Sequence, residues 1–181
     1  MSKELVKKSK FLSLILRHEP EKIGIALDEN GWVEVDVLLA ALGSHGRGMD
    51  RAGLEKVVAG NDKKRFAFSE DGRRIRANQG HSVEVDLALV PQVPPEKLFH
   101  GTVDKFLVAI YAEGLLKGER HHVHLSADLE SAAKVGQRRG RPVILEIAAS
   151  EMHRAGHQFF LSENGVWLTD MVPPKYLQRL P

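Results

Sequence analysis

The sequence predicts an α+β protein built from two lobes, and three observations predict it. The first half sets amphipathic helix patterns before a strand–turn–strand run. Three prolines within five residues, Pro91, Pro94 and Pro95, interrupt the middle of the 181-residue chain. Beyond them strand-like and helix-like runs intermingle, as in a compact lobe with a mostly antiparallel sheet.

In the first half, Leu5, Leu12 and Leu16 form one apolar stripe, so a helix capped by Ser2 is expected to run to about His18. Pro20 disfavours helix at Glu19 and ends it there. Asp28-Glu29-Asn30-Gly31 signals a turn before a short strand over Trp32–Val35. Asp36 is expected to cap a second helix over Val37–Leu42, and Asp50 a third through Leu54, Val57 and Val58. Arg65–Phe68 and Arg74–Ala77 read as two strands of a hairpin, with Asp71-Gly72 in the connecting loop. Helices followed by a hairpin are the layout of a winged helix, a module that binds nucleic acid or protein.

The stretch Val83–Pro95 reads as an extended boundary, dividing the chain into lobes 1–88 and 89–181. In the second lobe, strands are expected at Leu98-Phe99, Val123–Leu125, Pro142–Ala148 and Gly165–Thr169. Helices are expected over Lys105–Glu113, capped by Asp104, and over Ala127–Val135, capped by Ser126 or Asp128.

Composition narrows the chemistry. With no cysteine there is neither a disulfide framework nor a thiolate metal site. No apolar run reaches the roughly 18–20 residues of a membrane span, and the charged start lacks a signal-peptide pattern. The expectation is a cytoplasmic protein without a membrane partner, and nothing in the pattern calls for more than a monomer. Net charge is +2, but residues 1–82 hold 15 Lys/Arg against 12 Asp/Glu, whereas 83–181 hold 11 against 12. A mildly basic first half suits an anionic partner held locally.

Walker, GxGxxG, GxSxG and HExxH motifs are absent. What remains is a set of arginines and histidines beside glycine, serine or threonine: Arg17-His18, Lys64-Arg65, His81-Ser82, His100-Gly101-Thr102, Arg120 through Ser126, and Arg138-Arg139-Gly140-Arg141. Carboxylates are scarce beside Arg17, Arg65 and Arg120, Glu119 being the one acid next to any of them. Guanidinium groups converging without acids call for an oxyanion, and phosphate matches their fork. Read singly, each is equally a helix-end, strand-end or surface charge. His122 and His124 alternate along a strand, which makes a metal site with His100 conceivable, but no Asp or Glu is spaced to complete one. Gly101 either lets a ligand approach the backbone or makes a turn.

The chain resembles the RNA 2'-phosphotransferase family, best known for tRNA splicing, along nearly its whole length. The resemblance rests on Phe11 through His18, Asn30-Gly31-Trp32-Val33, Arg65-Phe66, Ile75 through Ser82 and Phe99-His100-Gly101-Thr102. It continues through His122 to Ser126, Val135-Gly136-Gln137-Arg138 and Asn164 through Thr169. It implies an N-terminal winged-helix RNA lobe packed on a C-terminal NAD-binding lobe of the ADP-ribosyltransferase type.

It further implies a reaction in two steps. An internal RNA 2'-phosphate attacks ribose C1'' of NAD+ and expels nicotinamide. The 2''-hydroxyl then attacks that phosphate, releasing RNA with a free 2'-hydroxyl and ADP-ribose 1'',2''-cyclic phosphate. By the same resemblance Arg17, His18, Arg65 and Arg120 clamp the 2'-phosphate, and His18 also passes a proton to the leaving oxygen. His100, Gly101, Thr102, His124, Ser126 and Arg138 serve NAD, while His81 and Ser82 line the seam between the lobes. Many protein-modifying relatives carry a glutamate near Gly165-Val166. Here the nearest, Glu163, is displaced by two residues, as suits an acceptor already ionised. The rival readings are an ADP-ribosyltransferase acting on nucleic-acid phosphate ends, a winged-helix regulator that consumes no NAD+, and a metal-dependent phosphatase.

Overall fold

A computed structural model describes residues 3–61 and 64–181. The chain forms two compact units, Met1–Ala88 and Leu89–Pro181, each with its own hydrophobic core. Both mix helix with small antiparallel sheets, which makes the protein α+β.

The first unit begins with α1 (Lys3–Ile15), which buries Leu12 and Ile15. The expected cap, Ser2, lies outside the described residues. A 3-10 turn, Pro20–Ile23, follows, its proline placed where a helix start needs no N–H. Asp28 then organises the expected turn, its carboxylate accepting from the N–H groups of Asn30 and Trp32.

Strand β1 (Val33–Glu34) is shorter than expected because Val35 already opens α2 (Val35–Ser44). Asp36 is therefore not the cap: Glu34 holds that position without a side-chain bond. The Val35 N–H is satisfied by the Arg73 carbonyl at 2.8 Å instead. Asp50 does cap α3 (Arg51–Ala59), accepting from Gly53 N at 2.8 Å. Strands β2 (Phe66–Phe68) and β3 (Arg74–Ala77) form the expected hairpin, and β1 adds to it in the order β1-β3-β2. Pairing of Val33 and Phe68 with Ile75 turns those residues toward Leu12, Leu38 and Leu54 in the core.

In the second unit β4 (Leu98–Thr102) runs on through His100-Gly101-Thr102, which the sequence placed after a shorter strand. α4 (Leu107–Glu113) follows a 3-10 turn that contains Asp104, so Asp104 caps nothing. It pairs with Arg179 at 3.3 Å. Next come β5 (Leu115–Leu116), β6 (Val123–Leu125) and α5 (Leu129–Gly136), the last capped by Asp128 rather than Ser126. β7 (Val143–Ile147), α6 (Ala149–Arg154), β8 (Phe159–Leu161), β9 (Trp167–Thr169), β10 (Met171–Val172) and β11 (Leu177–Arg179) complete the unit. Its sheets are β11-β7-β4, β6-β9-β8 and β10-β5, all antiparallel. A reciprocal backbone bridge between Phe99 and Ser126 ties β4 to the end of β6.

Helix α5 lies hard against β4 through two glycines. A Cβ on Gly101 would overlap the Ala132 carbonyl oxygen and sit 2.8 Å from Gly136 N. One on Gly136 would come within 2.9 Å of the Thr102 carbonyl oxygen. Backbone faces backbone here, so no side chain can swing aside. Gly101→Ala is expected to destabilise the protein by about 2 kcal/mol or more, read as a lowered thermal midpoint. Gly43→Ala is the control, since its Cβ meets nothing within 4 Å and alanine is the better helix former. An unchanged midpoint for Gly101→Ala contradicts the close packing.

Candidate active site

In the first unit, Arg17 and His18 follow the last turn of α1, and the Asn78–Ser82 segment after β3 holds them. The Arg17 carbonyl accepts from Ser82 N at 2.9 Å and Val83 N at 3.3 Å, while His18 Nδ1 lies 2.8 Å from Ser82 Oγ. Ser82 thus fixes the backbone of one candidate residue and the ring of the next. The same segment reaches Arg65 from its other end, where Asn78 N donates to the Arg65 carbonyl at 2.9 Å. Arg65 Nη1 donates to Asn61 Oδ1 at 3.0 Å. One five-residue segment therefore positions Arg17, His18 and Arg65. His81, in its middle, is only 1% exposed; a Cβ on Gly31 would sit 3.4 Å from its Nε2. Its ring is packed inside, whereas Ser82 is exposed beside His18.

In the second unit, His124 is the hub. Arg120, in the loop before β6, donates from Nη1 to His124 Nδ1 at 3.1 Å. A guanidinium only donates, so Nδ1 is the acceptor and the imidazole proton sits on Nε2. The His124 carbonyl accepts from His100 Nδ1 at 3.0 Å. A carbonyl only accepts, so His100 carries its proton on Nδ1 and, when neutral, offers a bare Nε2. Burial pushes the His100 pKa below its ordinary value. Arg139 and Arg120 push the same way, against the raising effect of the His124 carbonyl. Neutral imidazole with a free acceptor nitrogen is the favoured form.

Partial burial, then Arg139 and Arg138, lower the pKa of Arg120, which stays cationic at neutral pH. Among the described residues none of Arg120, Arg138 and Arg139 makes an ion pair. Arg138 lies exposed in a 3-10 turn, Gln137–Arg139, after α5. Arg139, which the sequence marks only as part of an arginine run, has its guanidinium 5.5 Å from the Phe106 ring centre and acts electrostatically on both His100 and Arg120. Its signal was its place between Arg138 and Arg141, but sequence could not say which arginine of that run stacks on Phe106.

Gly101 is explained on one side by α5. Along the strand its N–H and C=O share the edge used by Phe99, which faces Ser126 rather than β7. No strand pairs with that edge at Gly101 among the described residues. Thr102 is buried in the strand, and Ser126 is half-buried. His122 turns to the Phe160 ring, 5.4 Å between centres, and its pKa is lowered chiefly by burial. No group of three His, Asp or Glu among the described residues is placed to hold a metal. No helix among them is long and apolar enough to cross a membrane.

The sequence model described as RNA 2'-phosphotransferase, Tpt1 / KptA family, matches residues 3–171. The chain belongs to this family. It is 56% identical over 180 residues to a protein of Hahella chejuensis, covering 99% of this chain and 97% of that one. A Rhodopirellula baltica protein is 57% identical over 176 residues, with 97% and 96% covered. An Agrobacterium fabrum protein is 58% identical over 169 residues, with 93% and 91% covered. All three carry the curated name "Probable RNA 2'-phosphotransferase".

Folding depresses the His100 pKa, so the unfolded chain takes up that proton more readily. The stability its neutral ring contributes is complete above about pH 6.5 and is lost as pH falls below it. In a histidine-resolved NMR titration, His100 is expected to show a midpoint below 6.5, with thermal stability declining on acidification less steeply in His100→Asn. A His100 midpoint at or above 6.5 contradicts the assignment.

Proposed function

We propose that this chain removes an internal 2'-phosphate from RNA by transferring it to the ADP-ribose part of NAD+. The products are RNA with a 2'-hydroxyl, nicotinamide and ADP-ribose 1'',2''-cyclic phosphate. The observation that carries the reading is the His100–His124–Arg120 relay on the β4 edge, with arginines about it that make no ion pair among the described residues, in a chain of the 2'-phosphotransferase family.

These residues suit NAD. A bare His100 Nε2 accepts from a ribose hydroxyl, and the Gly101 peptide edge matches a carboxamide, which both donates and accepts. Arg138 and Arg139 offer positive charge to a pyrophosphate. Thr102, His124 and Ser126 complete the cofactor set, Thr102 through the strand and Ser126 through its bridge to Phe99. When bound, NAD+ supplies an electrophilic ribose carbon with nicotinamide as its leaving group.

Arg17, His18, Arg65 and Arg120 hold the 2'-phosphate. The acceptor is already an anion, so attack needs alignment rather than a strong base. As the bond from phosphorus to RNA breaks, guanidiniums fixed in advance stabilise charge on the phosphate oxygens without reorganising. His18, aligned by Ser82, passes a proton to the departing 2'-oxygen. The helix and hairpin order of the first unit supports a winged-helix RNA lobe, and the second unit is read as an ADP-ribosyltransferase-like lobe.

The test is an RNA carrying one internal 2'-phosphate. Phosphate loss is expected only with NAD+ present, and undiminished in EDTA. Arg17→Ala, Arg65→Ala and Arg120→Ala should each lower kcat/KM by about 10²–10³-fold. Release without NAD+ refutes the proposal, and RNA that keeps ADP-ribose as its final product favours end modification instead.

A further inference from the structure

Arg65 is served by an arrangement that its role as a phosphate ligand does not by itself require. Asn61, just beyond the C-terminal end of α3, is 2% exposed, and its amide stands between two partners. Nδ2 donates to Ser9 Oγ of α1 at 2.9 Å, and Oδ1 accepts from Arg65 Nη1 at 3.0 Å. The orientation of the amide is forced, because a guanidinium has only donors and must face the oxygen.

The backbone is held to the same end. Lys64 N donates to the Asn61 carbonyl at 2.7 Å, and Lys64 takes a φ of +41°, in the left-handed region a lysine rarely adopts. Asn78, 6% exposed, secures that conformation: its Nδ2 donates to the Lys64 carbonyl at 2.7 Å and its N–H to that of Arg65. Two buried asparagines thus define where Arg65 leaves the backbone and where its guanidinium points.

We propose that Asn61 is a positioning residue for the reaction, its amide oxygen aiming the Arg65 guanidinium at the RNA 2'-phosphate while taking none of its formal charge. The proposal rests on Arg65 binding that phosphate. An amide is the group this position needs. A carboxylate would orient the fork equally well but would compete with phosphate for its charge. An aliphatic side chain would remove this acceptor from the arginine and would take its partner from the buried Ser9 hydroxyl.

A double-mutant cycle on the full chain tests this, with kcat and KM for the 2'-phosphorylated RNA measured at saturating NAD+ and residual rates read in single turnover. Asn61→Ala is expected to lower kcat/KM at least tenfold when Arg65 is present and by less than threefold in the Arg65→Ala background. Asn61→Asp keeps both volume and acceptor. It should fold with a thermal midpoint near that of the parent, raise KM for the RNA about tenfold or more, and leave KM for NAD+ unchanged.

Equal losses for Asn61→Ala in the two backgrounds overturn the proposal, since they indicate a purely structural role. Parental RNA KM in Asn61→Asp overturns it as well. If Arg65→Ala is inactive while Asn61→Ala turns over normally, only the Asn61 role falls. If Arg65→Ala is fully active, the phosphate-ligand reading falls and takes this one with it.

Discussion

Ser82 donates its backbone N–H to the carbonyl of Arg17, and the candidate residues of the first unit take their places from that bond and its counterpart at Asn78. Arginine is a poor anion ligand when mobile, because ordering its side chain costs up to about 2 kcal/mol of rotamer freedom. Here the backbones from which Arg17 and Arg65 extend are fixed by folding, and Asn61 holds one guanidinium nitrogen of Arg65. β3 fixes the start of the Asn78–Ser82 segment, α1 receives its end, and Arg65, Arg17 and His18 are all bonded to it. Under the proposed function, ordinary sheet and helix packing prepares the catalytic requirement at some distance from the charges.

The second unit reaches the same end by another route. The two glycines where α5 crosses β4 set the depth of the helix, and the helix delivers the Gln137–Arg139 turn. Its depth is thus what brings Arg139 over Phe106 and close enough to act on His100 and Arg120. Gly101 has two faces with two duties. One admits the helix backbone, and the other presents a strand edge beside Ser126 that no strand pairs among the described residues. A reading that credited the glycine only to a ligand or a turn missed the packing duty, although that duty is the one a Cβ would violate first.

What the sequence made legible was set by how local each cause is. Asp50 and Asp128 cap helices through bonds that span three residues, so the pattern identifies Asp50 outright and narrows the other cap to Ser126 or Asp128. The hairpin around Gly72 is equally local. Asp36 and Asp104 were misplaced because a long-range partner decided each: the Arg73 carbonyl closes the start of α2, and Arg179 pairs with Asp104. β8, β10, β11 and α6 are short segments whose stability comes from neighbours distant in sequence, and they carry little periodic signal. Among the candidate residues, the arginine and histidine types were visible, but not the groups that orient them. Ser82 was marked without its partner His18, Asn78 and Arg139 lay inside marked segments without a role, and Asn61 had no motif at all.

The neutral acceptors of Arg120 and Arg65 contrast with the carboxylate partners of three other arginines. Arg51, Arg74 and Arg179 each pair with a carboxylate, Glu55, Asp28 and Asp104 respectively, at exposed positions where such pairs contribute little to stability. Arg120 instead donates to a neutral imidazole nitrogen, and Arg65 to an amide oxygen. Both are acceptors good enough to fix direction but without a formal charge to balance. A protein that needed these side chains only for stability would gain as much from a carboxylate, and would avoid the repulsion from Arg139 and Arg138 that adds to burial in lowering the Arg120 pKa. Retaining that repulsion makes physical sense when an anion arrives to relieve it. Under the proposed function, binding of the phosphate would convert that repulsion into affinity for the group to be transferred.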